Sequence, residues 1–313
     1  MVTGNSLIVQ VANETQYAVP VSAMTRQIKV ASESLKPIYN KIDEGLLTGG
    51  KATGKVETMS VKAEGSISTI ARPDDLGFWL LHLLGVEEDV VDVGDEDGTA
   101  KKHTFHAIGT QETDHLPSFT AMLNRIIEKF AYTGCKANTI SFSAVQEDYL
   151  KIDITIVGKD EIEWTVSTTL VPSSLRAFKF RHGKVYLNGA EIADVTSIKF
   201  DYNNNLDTTV QTTSTGLYFK EPECGARDIT TELEVLYASP AEATRKNYYK
   251  TDDVFALVLA FTSDEVVEDG VPYSLTITIP HNQMSDATAN VSGSETLKQT
   301  MNMKAVEDGG TNS

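Results

Sequence analysis

"YLKIDITIVG", residues 149–158, decides how this chain is read. Leu150, Ile152, Ile154 and Ile156 alternate with Lys151, Asp153 and Thr155. Apolar residues at every second position put one face in a core and the other in water, as in a half-buried antiparallel strand. The same period recurs on both sides. Ile140, Phe142 and Ala144 mark one strand, and Ile28 and Val30 begin another. Ile198, Phe200 and Tyr202 alternate with Lys199 and Asp201. Ile229, Thr231, Leu233, Val235 and Tyr237 alternate with Thr230, Glu232 and Glu234, and Tyr273, Leu275, Ile277 and Ile279 with Ser274, Thr276 and Thr278. "VYLNGAEI", residues 185–192, carries an Asn188-Gly189 turn and reads as a hairpin. The fold class is mainly β.

One segment breaks the period. "DDLGFWLLHLLG", residues 74–85, follows Pro73, starts acidic and stops at glycine, which are helix boundary signals. Leu76, Phe78, Trp79, Leu80 and Leu83 leave almost no polar face, so the helix must be covered on more than one side. It plugs the open end of a sandwich or packs against a neighbouring subunit.

Gly49, four residues, then Gly54-Lys55 nearly spells a phosphate-binding loop. Val56 stands where Ser or Thr would hold Mg²⁺. Upstream, "KPIYNKIDEGLL" is no buried strand, and downstream Met59, Val61, Ala63 and Ile67 alternate as a strand where a helix is required. Nucleotide binding is rejected, which leaves a long glycine-rich loop between two strands to be explained.

The 313 residues suffice for one large domain or two ordinary ones. The 27 lysines and arginines against 44 aspartates and glutamates give −17, a poor balance for tight nucleic-acid binding. Cys135 and Cys224 form no C-x-x-C pair, and free thiols in a reducing compartment are expected. No signal peptide is expected, and no run approaches the roughly 20 apolar residues of a membrane helix.

Four pairs of phrases recur in one order: "IKVASESL" with "IKFDYNNNL", "VETMSVKAEGSI" with "ARDITTELEVLY", the helix with "DDVFALVLAF" at residues 252–261, and "YLKIDITIVGKD" with "TLKQTMNMKAVED". They read as a diverged tandem duplication, residues 1–172 and 173–313.

Chemistry finds little support. Asp92, Asp95, Asp97 and Gly98 hint at a calcium loop, but Val93 and Thr104 occupy the key carboxylate positions. Glu87, Glu88, Asp89, Asp92, Asp95, Glu96 and Asp97 are read as a solvated acidic loop. His103 and His106 are three apart on an expected strand and face opposite ways. No nucleophile elbow occurs. No enzyme activity, metal or cofactor is expected.

The phrases "NETQYAVPVSAMTRQIKVASESLKPIYNKIDEGLLTGGKATGKVETMSVKAEGSI", "DDLGFWLLHLLG", "HLPSFTAML" and "KVYLNGAEIADVTSIKF" resemble the major tail tube proteins of long-tailed, non-contractile phages and prophages. The resemblance covers most of the chain. Ala18 departs from it, since family members often carry glycine after the Gln-Tyr pair. The resemblance implies a tail-tube-type β-sandwich or barrel with a flanking helix, here in two tandem copies. It implies a virion tail protein, assembled in the host cytoplasm, whose rings stack into the tube through which DNA leaves. Its implied partners are itself, a tape measure protein in the lumen, a tail terminator and a distal tail protein at the ends, and DNA in transit without tight binding, with no membrane. Sheets of neighbouring subunits join to line the lumen, which the net charge would make acidic. Gly45, Leu46, Leu47, Thr48, Gly49, Gly50, Lys51 and Gly54 become an arm docking on the next ring, and the Trp79 helix packs between subunits. Two fused copies favour a three-chain, pseudo-sixfold ring over a hexamer. The rival readings are a low-copy tail component, such as a terminator or tube initiator, and a carbohydrate- or receptor-binding sandwich, for which Trp164 is the one candidate aromatic.

Overall fold

The computed structural model describes residues 7–45, 54–93, 98–109, 115–268, 270–289 and 296–307. The backbone is mainly β, as the period-two runs require. In the first half, β1 (Ile8–Asn13), β2 (Arg26–Ile28), β3 (Val30–Glu33), β4 (Lys36–Asp43) and β5 (Val56–Ile70) lead to helix α1 (Pro73–Leu84). Four short strands follow, β6 (Gly85–Glu87), β7 (Val91–Asp92), β8 (Lys101–Lys102) and β9 (Phe105–Ala107). Then come β10 (Phe119–Asn124), β11 (Lys129–Val145), β12 (Lys151–Gly158) and β13 (Asp160–Glu163). The second half has β14 (Gly183–Leu187), β15 (Ala190–Glu191), β16 (Val195–Asn203), β17 (Asp228–Leu236), helix α2 (Ser239–Thr244) with a π-helical turn (Arg245–Tyr249), β18 (Phe255–Glu268), β19 (Val271–Thr288) and β20 (Lys298–Ala305).

The long strand β11 holds the two halves together. Its first part pairs with β10 and β13, and its second part pairs with β12 on one side and β16 on the other. A continuous eight-strand surface results, in the order β3/β4, β5, β12, β11, β16, β17, β20, β19. Behind it runs one apolar core shared by both halves, from Val9 and Ile67 through Ile140 and Ile154 to Leu233, Phe261 and Met301.

The two halves pair their main strands in the same order and share three register slips, although β4–β5 and the far end of β18–β19 carry slips of their own. β3 slips one residue on β5 between Val30 and Ser32, and β16 slips on β17 between Val195 and Ser197. β10 slips on β11 between Phe119 and Ala121, and β18 on β19 between Phe255 and Leu257. β11 slips on β12 between Ala137 and Thr139, opposite Ile156 and Thr155. β19 slips on β20 between Met284 and Asp286, opposite Met303 and Asn302. The last pair of slips falls at the same step of two eight-residue strands, Lys151–Gly158 and Lys298–Ala305. A β-bulge is a specific backbone feature, not a by-product of alternation.

Three expectations are corrected. The apolar run at residues 252–261 is not a counterpart of α1. It enters strand β18, with Phe255, Leu257, Leu259 and Phe261 buried on one face. Pairing with β14 on one side and β19 on the other outweighed the paired aspartates, and the place after β17 that answers to α1 is taken by residues 239–249. The acidic segment is not a free loop at Glu87 and Asp92. β6 pairs with β9 and β7 with β8, so Glu87 meets His103 Nδ1 at 2.6 Å and Asp92 meets Lys101. Asp95, Glu96 and Asp97 lie outside the described residues, while Glu88 and Asp89 are exposed. Trp164 is buried beside Met24, Met122 and Ala131, so it is no surface platform for a sugar.

Candidate assembly surface

The eight-strand surface turns a polar face to solvent. Register rows cross it, one running Ser68, Asp153, Ser141, Asp201, Thr230, Lys304. The next runs Ile70, Lys151, Ser143, Lys199, Glu232, Asn302. Six of these twelve positions are charged, three lysines against three carboxylates, and hydroxyls and one amide take five of the others. Ser68 donates to Asp153 and Ser141 to Asp201, Lys199 sits 2.9 Å from Asp201, Lys298 3.2 Å from Glu234 and Lys304 2.7 Å from Asp228. Such exposed pairs add little stability. Their consequence is a wall without a strong field.

The glycine-rich stretch falls between β4 and β5 in the chain. β4 is an exposed strand, as its mixed sequence demands, and β5 continues it back into the sheet. Residues 46–53, which include Leu46, Leu47, Thr48, Gly49, Gly50 and Lys51, lie outside the described residues. Gly45 holds a left-handed φ of 59°, and Gly54 leads into β5. The hairpin displays Tyr39, Ile42, Val56 and Met59 to solvent, each over 40% exposed. Apolar residues clustered on an exposed hairpin mark an interaction surface.

Helix α1 is covered within one chain. Leu76, Phe78, Trp79 and Leu83 are buried, and Leu80 is half-buried. Phe119 takes Phe78 and Trp79 edge-on at 5.3 and 5.9 Å. His82 joins this cluster, its Nδ1 2.9 Å from the Pro117 carbonyl and its Nε2 3.0 Å from Asn13 Oδ1. Burial pushes its pKa down to about 4. At the helix start, burial and the neighbouring Asp74 raise the Asp75 pKa, against Arg26 at 3.5 Å.

The segment 204–227, which no periodicity or motif marks in the sequence, crosses from the second half over the first. Asn204 donates to the Leu83 and Ala137 carbonyls at 2.9 and 3.2 Å. Val61 N–H reaches the Leu217 carbonyl at 2.8 Å. The Tyr218 hydroxyl donates to Asp160 at 2.7 Å, and that bond pushes its pKa up to about 12. Lys136, wholly buried on β11, binds Glu221 at 2.6 Å and the Pro222 carbonyl at 3.1 Å, with its ammonium over the Tyr17 ring. An isolated lysine in a strand gives no sequence signal of such burial.

The N-terminal turn is built on Glu14, which accepts from Ala18 N–H, Ser118 Oγ, Thr120 Oγ1 and Gly134 N–H. Ala18 holds a left-handed φ of 57°, which explains why glycine suits this position. Among the described residues, no three His, Cys, Asp or Glu side chains are placed to hold a metal ion. No helix among them is long and apolar enough to cross a membrane.

A sandwich with a shared core, a polar sheet face and an exposed apolar hairpin is the frame of a building block. A family model described as phage tail tube protein matches residues 4–305. The chain belongs to the phage tail tube protein family. A search of curated proteins gave no match. For this tail tube protein, the family is a structural one and self-assembly into a virion tail tube is what it implies. The frame fits: its described parts are strand edges, an exposed hairpin and a balanced polar face.

Proposed function

We propose that this chain is the repeating subunit of the tube of a long-tailed, non-contractile phage. Rings of it stack into the conduit for DNA ejection, with a tape measure protein inside and a terminator and distal tail protein at the ends. It turns over no substrate, uses no cofactor and is assembled in the host cytoplasm without a membrane. The observation that carries the reading is the repeated set of three bulges in two runs of strands. Two tandem copies, residues 1–172 and 173–313, account for it. Two copies per chain let three chains close a ring with pseudo-sixfold symmetry, since the β11–β16 joint inside the chain supplies a model for a head-to-tail contact.

On this reading the eight-strand face lines the lumen. The wall is then near charge balance, not predominantly acidic. Lys62, Lys151, Lys199, Lys298 and Lys304 stand against Glu64, Asp153, Asp201, Asp228, Glu232, Glu234 and Asp286. Such a wall offers no cation cluster to hold phosphates, so DNA slides. Most of the net negative charge falls elsewhere. The β4–β5 arm, with Gly45, Gly54 and the residues between them, reaches the adjacent ring, and the Trp79 helix fills the seam between copies. Negative-stain microscopy of the purified protein tests the reading: rings or tubes support it, and a strict monomer that no tail component recruits overturns it.

A further inference from the structure

Among the described residues, two of the sheet edges left without a strand partner answer to edges that are joined inside the chain. One is the outer edge of β4 at residues 36–38, which pairs only with β5. The other is the end of β19, residues 283–288, where β20 covers one side and β18 has already ended. Within the chain the corresponding edges are joined. Stepping through the shared bulges, residues 200–203 of β16 occupy the place of 35–38, and residues 139–142 of β11 the place of 286–289. Those two segments pair as Thr139↔Asn203, Ile140↔Tyr202, Ser141↔Asp201 and Phe142↔Phe200.

The free edge at 35–38 is guarded where the internal edge is not. Ser34 N–H points to the Ser66 carbonyl on β5, so the alternation of backbone groups turns residues 35 and 37 outward. Pro37 has no N–H to offer, a common way of blunting an edge. Leu35 is occupied: its N–H donates to Glu33 Oε2 at 3.0 Å, and its carbonyl accepts from Arg125 Nη2 at 3.0 Å and Tyr132 Oη at 3.1 Å. Arg125 also grips Glu33 at 3.0 and 3.2 Å. In the second half, Ile198 stands in the place of Glu33 and Phe261 in that of Arg125, so the lock has no counterpart there. Unpaired edges invite another chain, and guarding them holds that pairing back.

We propose that the chain joins a second copy of itself by pairing residues 35–38 with residues 286–289 of the next chain, in the internal register, once the Glu33–Arg125 lock releases Leu35. The pairs are Lys36 with Thr288 and Ile38 with Asp286. This rests on the tandem-copy reading. Pro37 removes one of the ladder bonds and the lock withholds those of Leu35, so the joint forms slowly in free chains and faster when the lock is weakened.

The test is disulfide trapping with the full-length Cys224→Ser chain. Lys36→Cys/Thr288→Cys should give a covalent ladder ending at three chains, while either single cysteine gives none. Ser141→Cys/Asp201→Cys, the same pair inside the chain, should close without joining chains and shows that the geometry permits a disulfide. Arg125→Ala and Glu33→Gln, the second milder to the fold, should each shorten the half-time of assembly several-fold by light scattering. Rings or tubes in which the internal pair closes and the Lys36–Thr288 positions do not cross-link overturn the joint while leaving the tube intact. A cross-link with both lock variants assembling no faster overturns the lock. Chains that stay monomeric and uncross-linked when concentrated overturn the joint and the tube reading together.

Discussion

Lys136 and Glu221 meet at 2.6 Å across the seam between the two halves, the lysine wholly buried and the glutamate partly open to water. The pair fastens the 204–227 segment to β11. Its two members are not equivalent, because a buried charge left alone costs more than an exposed one. Glu221→Ala should destabilise the protein by about 3 kcal/mol, and Lys136→Met by much less, since its carboxylate partner keeps contact with water. Denaturant midpoints of the two variants give the comparison. Equal losses would show that packing, not the stranded charge, governs the site.

His82 predicts an acid response. Its folded pKa, about 4, lies below its ordinary value of about 6.5 because it is buried neutral. The unfolded chain therefore binds the proton first. Stability is fully present above about pH 6.5 and is lost as pH falls towards 4, by roughly 3 kcal/mol in total. Urea unfolding of wild type and His82→Gln across that window isolates the effect. A variant with the same pH slope as wild type contradicts it.

Ala18 and Gly134 form a strained corner. Ala18 is left-handed, and a side chain at Gly134 would meet the Tyr17 ring at 2.9 Å and Ala18 Cβ at 3.0 Å. Ala18→Gly should stabilise by about 1 kcal/mol at most, strain relief being partly offset by a floppier unfolded chain. Gly134→Ala should destabilise, since it adds both the clash and a positive-φ penalty. Melting temperatures that move the other way would mean that the corner is differently held.

Trp79→Ala should cost about 3–5 kcal/mol, the range for emptying a fully buried aromatic site. Near-ultraviolet circular dichroism should report loss of the Phe78–Phe119 packing as well. An unchanged midpoint would show that the helix contributes nothing to the subunit core.

Removing residues 47–53 should leave the melting temperature within a few degrees, because shortening a loop changes closure entropy little. Stacking of rings should fail. Tubes of normal length from the shortened chain would take the arm out of the inter-ring contact.

Strands were legible wherever one face is wet. Lys151, Asp153 and Thr155 announce β12 because solvent accepts them. The helix over Pro73–Leu84 was legible from its boundary residues, and Gly85 does end it with φ 94°. The run at 252–261 was misread because a buried strand with Ala256, Val258 and Ala260 on its second face carries no polar alternation, and its leading aspartates imitate a helix start. The acidic segment was misread because its strand pairs are only two or three residues long. Lys136, Glu14 and the Leu35 lock were invisible for a different reason. Each depends on a partner 85 to 120 residues away, Leu35 on Arg125, Glu14 on Gly134 and Lys136 on Glu221, and spacing in sequence holds no trace of them.

A ring closed by three two-copy chains weighs three times the 34.1 kDa chain mass, and native mass spectrometry of assembled rings reads that mass; a single closed ring at that value is expected, with stacked forms at whole multiples of it. Rings of six chains, or open oligomers with no preferred size, would contradict it.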